Sequence, residues 1–205
     1  MTPRTREALM TAATLLGVFG LVTLGSKKPA RAAVRLTPER RRRVALIGDS
    51  YAVGLGPELV KLLPDFHYEG HAGIGVADWL HHGALCMKQR GAWYDSPQTG
   101  CGDWISGYQP DFVFVSLGVN PSGAIPNPAD YQAVVRALTG LGARVIWIEP
   151  PASVPTAVRG TIAQLGVPTV PATHVPTDGL HPLAGGYSTW AREVAAIVNA
   201  EVARA

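Results

Sequence analysis

Cysteine and charge are what this chain has least of. Two cysteines in 205 residues exclude a disulfide-dense miniprotein, and the lack of any Cys-x-x-Cys pair argues against a zinc site. Charged residues make up only 16% of the chain, where an ordinary soluble domain carries roughly 25%. A disordered acidic tail is thereby excluded. Glycine and proline, 23 and 17 residues, stay below the share that marks low complexity, and no collagen-like period is present. What remains is a hydrophobic share of 47% in a length that suits one domain with a short appendage.

The net charge of +3 hides an asymmetry. Ten of the 18 Lys and Arg residues fall in the first 43 positions, where only Glu7 and Glu39 oppose them. From Val44 onward there are 8 basic against 13 acidic residues, a net of −5. A nucleic-acid binder needs its cations on the folded domain, where they displace counterions from phosphates. Here the cations sit on a leader, so no nucleic-acid partner is expected.

That leader has the layout of a targeting segment. Arg4 and Arg6 precede an uncharged stretch from Ala8 to Gly25, which Ser26, Lys27 and Lys28 close. Its 18 residues are the lower edge for a bilayer span and slightly long for a signal-peptide core. Ala30-Arg31-Ala32 offers a small-x-small cleavage site, so residues 1–32 read as a signal peptide or, uncleaved, as a membrane anchor. The basic flank through Arg43 favours the cytoplasm if the segment stays in the membrane, which conflicts with export. Residues 33–43 read as a basic linker and 44–205 as the folded domain.

Within that domain strands and helices alternate. Val44 to Ile47, ended by Gly48, is an apolar run of the kind buried on both faces of a parallel sheet. The spacing predicts a helix over Gly56 to Leu63, with Leu59, Leu62 and Leu63 on one face and Pro64 as its stop. A strand over Phe66 to Ala72 and a short helix from Val76 to Leu80 follow, then an irregular insertion from His81 to Pro110. Asp111 to Leu117 is the clearest strand; Asp130 to Leu141 is a helix, Arg144 to Ile148 a strand, Val154 to Leu165 a helix and Pro168 to Val170 a short strand. Tyr187 to Ala205 closes the chain as an amphipathic helix, with Trp190, Val194, Ile197 and Val198 on its apolar side. The alternation predicts an α/β fold with a parallel sheet covered on both faces, whose functional groups gather at the carboxyl ends of the strands.

Four groups stand at such positions. The first strand ends in Gly48-Asp49-Ser50, which holds a serine at the mouth of the sheet as a candidate nucleophile. A serine that merely caps the next helix would look the same. Asp49 is expected to hold this turn through a side-chain hydrogen bond. Near the end of the chain Asp178 precedes His181 by three residues, a spacing that lets the carboxylate orient the imidazole while its other nitrogen meets a serine. Asn120, in Leu117-Gly118-Val119-Asn120-Pro121, ends the best strand and can aim its amide at a developing oxyanion. Gly73-Ile74-Gly75 lets a backbone N–H approach the same point.

Together these blocks resemble the SGNH, or GDSL, hydrolase superfamily over Val44 to about Asn199, most specifically in Gly-Asp-Ser and in Asp178 to Tyr187 (DGLHPLAGGY). The resemblance implies a three-layer α/β/α sandwich with a flavodoxin-like parallel sheet. It makes Ser50 the nucleophile, His181 the general base and acid, and Asp178 its orienting partner. The oxyanion hole would be the Ser50 N–H, the Gly73 N–H (Gly75 is the alternative) and the Asn120 side chain. It implies no cofactor and no metal. The family's third block usually carries an acidic residue where Pro121 stands, so the Asn120 loop must be supported differently here. Family members include carbohydrate acetylesterases, lipases, lysophospholipases and thioesterases. A short polar-aromatic insertion without a long apolar lid helix favours O-acetyl or short acyl groups on an envelope or extracellular glycan. The alternatives are longer acyl chains, or a catalytically silent envelope-binding domain of the same fold.

The remaining candidates have plainer readings. Cys86 and Cys101, 15 positions apart, either form a loop-closing disulfide or stay as two thiols. Adjacent His81 and His82 face different directions and lack a third ligand, so they read as solvated or helix-capping, as do His67, His71 and His174. Trp93, Tyr94 and Trp104 form either a sugar-stacking wall or the packing of the insertion. The leader makes the first prediction: the chain is exported by its host. N-terminal sequencing that starts at Ala33 means a cleaved signal, and Met1 in the membrane fraction means an anchor. Met1 in the cytosol contradicts both.

Overall fold

Every residue of the strand Val44–Gly48 (β1) is buried, as is every residue of Phe112–Ser116 (β3) beside it. Such strands have helices on both faces, which is why they read as continuous apolar runs. The computed structural model describes residues 42–81, 102, 104–120, 126–172, 181–182 and 184–204. Five parallel strands, with β2 (Phe66–Gly70), β4 (Arg144–Ile148) and β5 (Thr169–Val170) completing the set, lie in the order β2-β1-β3-β4-β5. This is the flavodoxin-like order, whose direction of winding reverses between β1 and β3. All these residues fall in one unit, Glu39–Ala205. Arg43, in the segment read as linker, already holds to the sheet through its carbonyl, which accepts from the N–H groups of Asp111 and Phe112.

Helix α1 (Ser50–Val60) joins β1 to β2 and packs against the last helix, α6 (Ala184–Arg204). Between them in the chain come α2 (Val76–His81), the helical turn α3 (Ile105–Tyr108), α4 (Pro128–Gly140) and α5 (Thr156–Ala163). Right-handed crossovers put α1 on one face of the sheet and the helices that follow β3 and β4 on the other. Helices α2, α4 and α5 pack on one another accordingly. The result is the expected three-layer α/β/α sandwich.

The first helix differs from its sequence reading. It begins at Ser50, six residues before the expected Gly56, because the Asp49 carboxylate accepts from the Tyr51 N–H and caps the helix there. The earlier start rotates the apolar face: Leu55, Leu59 and Leu63 are buried, whereas Leu62 is 42% exposed. Where β2 meets this helix the two backbones touch. A Cβ on Gly70 would lie 2.4 Å from the Val53 nitrogen and 2.7 Å from the Ala52 carbonyl carbon. Neither backbone atom can yield without moving α1. Gly70→Ala should therefore cost about 1–3 kcal/mol, the usual cost of overpacking, read as a lower midpoint of chemical unfolding. A midpoint equal to wild type would contradict this packing.

Candidate active site

Ser50 sits where the strand β1 becomes helix α1, at the carboxyl edge of the sheet. Asp49 is the N-cap, and its carboxylate takes the N–H of Tyr51 at 3.0 Å. The Ser50 N–H therefore remains among the unpaired donors of the helix N-terminus, at the positive end of its dipole. The second carboxylate oxygen of Asp49 accepts from the Val119 N–H at 3.4 Å. Asp49 thus holds the serine turn, as expected, and also reaches across to the loop after β3, which was not expected. The backbone repeats the link, since the Asp49 N–H donates to the Ser116 carbonyl.

That loop carries Asn120. It is anchored on its other side by the buried indole of Trp147, whose N–H donates to the Leu117 carbonyl at 3.0 Å, while Tyr131 stacks on the same indole. These two anchors, Asp49 and Trp147, give the loop its support; Pro121 lies outside the described residues. The Asn120 side-chain nitrogen is buried and has no hydrogen-bonding partner among the described residues. A buried amide donor left unpaired is costly, and such groups concentrate where a ligand supplies the acceptor. It lies one residue beyond the N–H that Asp49 holds, at the reversal point between β1 and β3 where ligands bind in open α/β sheets.

His181 comes from the far end of the sequence. Its Nε2 lies 2.8 Å from Ser50 Oγ, across 131 positions of chain. Packing of α6 on α1 fixes this approach. The Tyr51 ring meets His181 edge-on at 5.8 Å and Trp190 edge-on at 5.1 Å. One turn further along, a Cβ on Gly54 would strike the Tyr187 ring at 2.3 Å, so only glycine lets the helices come this close. The residue that should orient His181 from its other nitrogen, Asp178, lies outside the described residues, as do Cys86, Cys101, His82, His174, Trp93 and Tyr94.

The two glycine candidates separate. The Gly75 N–H is taken by the Asp78 carboxylate at 2.8 Å, which starts α2. Gly73 has a φ of +82° at the third position of a turn closed by the Ile74 N–H on the His71 carbonyl. A type II turn requires that angle, and glycine adopts it without strain. The Gly73 N–H is engaged by no described residue. Two other readings change. His71 is neither solvated nor a cap but buried, 2.7 Å from Glu69. Trp104 is buried too, so it packs and cannot be part of a sugar-stacking wall. Among the described residues no cluster of three or more His, Cys, Asp or Glu could hold a metal.

No family model matches the chain, and no curated protein matches it. Solved structures do. A family two carbohydrate esterase from Clostridium thermocellum, in complex with cellohexaose, superposes with a TM-score of 0.55 over 79% of this chain, at 14% identity. The chain shares the α/β fold of that esterase, with a five-stranded parallel sheet between helices. An active-site mutant of that esterase gives a TM-score of 0.54 at 14% identity, covering 79% of this chain and 64% of its own. The C-terminal catalytic domain of Streptococcus pneumoniae peptidoglycan O-acetyltransferase A is also similar, at 15% identity and a TM-score of 0.48 over 78% of this chain and 93% of its own. This chain spans 65% of the length of the first esterase. At these identities the likeness is one of fold.

Burial pushes the Asp49 carboxyl up from 3.8 to about 7, against the opposing pull of its bonds from Tyr51 and Val119 and of nearby His181. Its value in the folded chain thus lies above that in the unfolded chain. The stability Asp49 contributes is then full below about pH 4 and is lost as the pH rises toward 7. The prediction compares unfolding free energies of wild type and Asp49→Asn from pH 4 to 8. Wild type should lose ground to the variant between about 4 and 7 and level off above. Parallel curves would contradict the raised value.

Proposed function

We propose that this chain hydrolyses carboxylic esters through an acyl intermediate on Ser50. The observation that carries the reading is the 2.8 Å contact of Ser50 Oγ with His181 Nε2 at the carboxyl edge of a parallel sheet. A serine hydroxyl is a poor nucleophile until a base in hydrogen-bond reach takes its proton. His181 is that base. As Oγ attacks the ester carbonyl, the proton moves to Nε2 and charge develops on the carbonyl oxygen. The Ser50 N–H, the Gly73 N–H and the unpaired Asn120 amide are the donors for that charge. Each such donor is worth roughly 3–4 kcal/mol in the transition state. The imidazolium then gives its proton to the departing alcohol, and the acyl-serine forms. Water, deprotonated by the same imidazole, attacks the acyl group and releases the acid. Asp178 is assigned the task of holding the His181 ring in the required tautomer.

For substrate we infer O-acetyl or short acyl groups on an envelope or extracellular glycan. Support comes from the short polar-aromatic insertion of the sequence and from the fold shared with an esterase solved in complex with cellohexaose. The leader supports export, with the membrane as a partner if residues 8–25 stay uncleaved. Among the described residues no helix is long and apolar enough to cross a membrane, and the leader lies outside them.

Hydrolysis of p-nitrophenyl acetate tests the reaction, and acyl esters of increasing length test the substrate. Wild type should turn over acetate fastest, and Ser50→Ala should lose at least about 10³-fold in kcat. An optimum at eight or more carbons would move the reading to a lipase or thioesterase. No wild-type turnover of any ester would leave a silent binding domain of the same fold.

A further inference from the structure

The reaction above leaves unused a buried acid and a buried imidazole at the sheet edge. His67, Glu69 and His71 alternate onto one face of β2, and the side chains of Glu69 and His71 are only 4% and 6% exposed. The Glu69 carboxylate accepts three hydrogen bonds. One oxygen takes His71 Nε2 at 2.7 Å; the other takes the Gly102 N–H at 2.7 Å and the Trp104 indole N–H at 2.5 Å. Its partners come from the end of β2 and from the later part of the insertion, Gly102 and Trp104. Burying a carboxylate is costly even when paired, and an apolar group of the same size would commonly serve stability as well. The position of the network suggests what it does.

His71 lies between the nucleophile strand and the Gly73 turn. Its N–H donates to the Gly48 carbonyl at 3.0 Å, two residues before Ser50, and its carbonyl closes the turn by accepting from Ile74. Among the described residues its ring is held from one side only, because the buried Nδ1 has no partner there. Glu69 is therefore, among the described residues, the one polar partner of the His71 ring, on the residue from which the Gly73 turn springs. We propose that Glu69, acting through His71, is a positioning residue for the oxyanion hole: it fixes the turn so that the Gly73 N–H faces the carbonyl attacked by Ser50. The proposal rests on the ester-hydrolase reading.

The choice of variant follows from the donors. Three donors converge on Glu69, and both of its oxygens accept. A glutamine has one oxygen and one NH2: if the oxygen keeps Gly102 and Trp104, the NH2 faces His71 Nε2, which must give up its proton to accept, and the bond to a charged acceptor is lost. Glu69→Gln keeps size and shape and should loosen the turn. Misplacing a reacting group by about 1 Å costs up to about 10²-fold. With p-nitrophenyl acetate, Glu69→Gln should lower kcat by about 10- to 100-fold with KM within about twofold. The amide NMR signal of Gly73 should shift in the same variant while that of Gly142, at the far end of the sheet, stays in place. Trp104→Phe, which removes one donor and leaves the carboxylate, should give the same changes at smaller size. It decides the matter by the same readings if Glu69→Gln does not fold. Wild-type kcat in both variants, or an unmoved Gly73 signal, overturns the proposal and leaves the esterase reading intact. A wild-type chain that hydrolyses no ester removes both.

Discussion

One buried carboxylate ties the site together. Asp49 is wholly inaccessible to solvent, and its two oxygens reach two different elements, the Tyr51 N–H that opens α1 and the Val119 N–H after β3. The first bond starts the helix directly after the strand, which places Ser50 at the helix N-terminus. The second fixes the loop that carries Asn120 relative to that serine. Without this bridge the proposed nucleophile Ser50 and the Asn120 amide would hang from separate loops, each free to drift by the fraction of an ångström that matters in catalysis. Burying an acid this deeply works against its charge, and the raised value of about 7 records that tension.

The donors proposed for the developing charge share one origin, since none is spent on secondary structure. The Ser50 N–H is left over at a helix start, the Gly73 N–H lies in a turn with φ +82°, and the Asn120 amide is buried and has no partner among the described residues. The fold solves the opposite problem for the proposed base. His181 is brought in from the end of the chain, and the packing of Tyr51 on Trp190, with the close approach of Gly54 to Tyr187, holds it against Ser50. Rigid elements thus position loop-borne groups, the general arrangement at the carboxyl edge of a parallel sheet.

Much of this was legible in the residues. Strands buried on both faces are uniform apolar runs, so Val44–Gly48, Phe112–Ser116 and Arg144–Ile148 could be read nearly to their ends. The serine and histidine stood out because punctuation surrounds them: Gly-Asp before one, proline after the other. The start of α1 was missed because Gly54, Gly56 and Pro57 look like a break, yet the helix runs through them once Asp49 caps it. The Glu69–His71 pair was missed for a different reason. Alternation along β2 puts the two on one face, but His67 on that face is exposed, and only the return of Gly102 and Trp104 supplies two of the donors to Glu69. Long-range partners leave no local signal. Asp49 to Val119, 70 positions apart, is the same case.

The central claim is that Ser50 is a nucleophile activated by His181, and covalent labelling addresses it most directly. The full chain is treated with a short-chain p-nitrophenyl phosphonate, then weighed intact and mapped by peptide mass spectrometry. One adduct per chain on Ser50, formed far more slowly in His181→Asn, is the predicted result. No adduct, an adduct elsewhere, or equal labelling of Ser50 with and without His181 would contradict it.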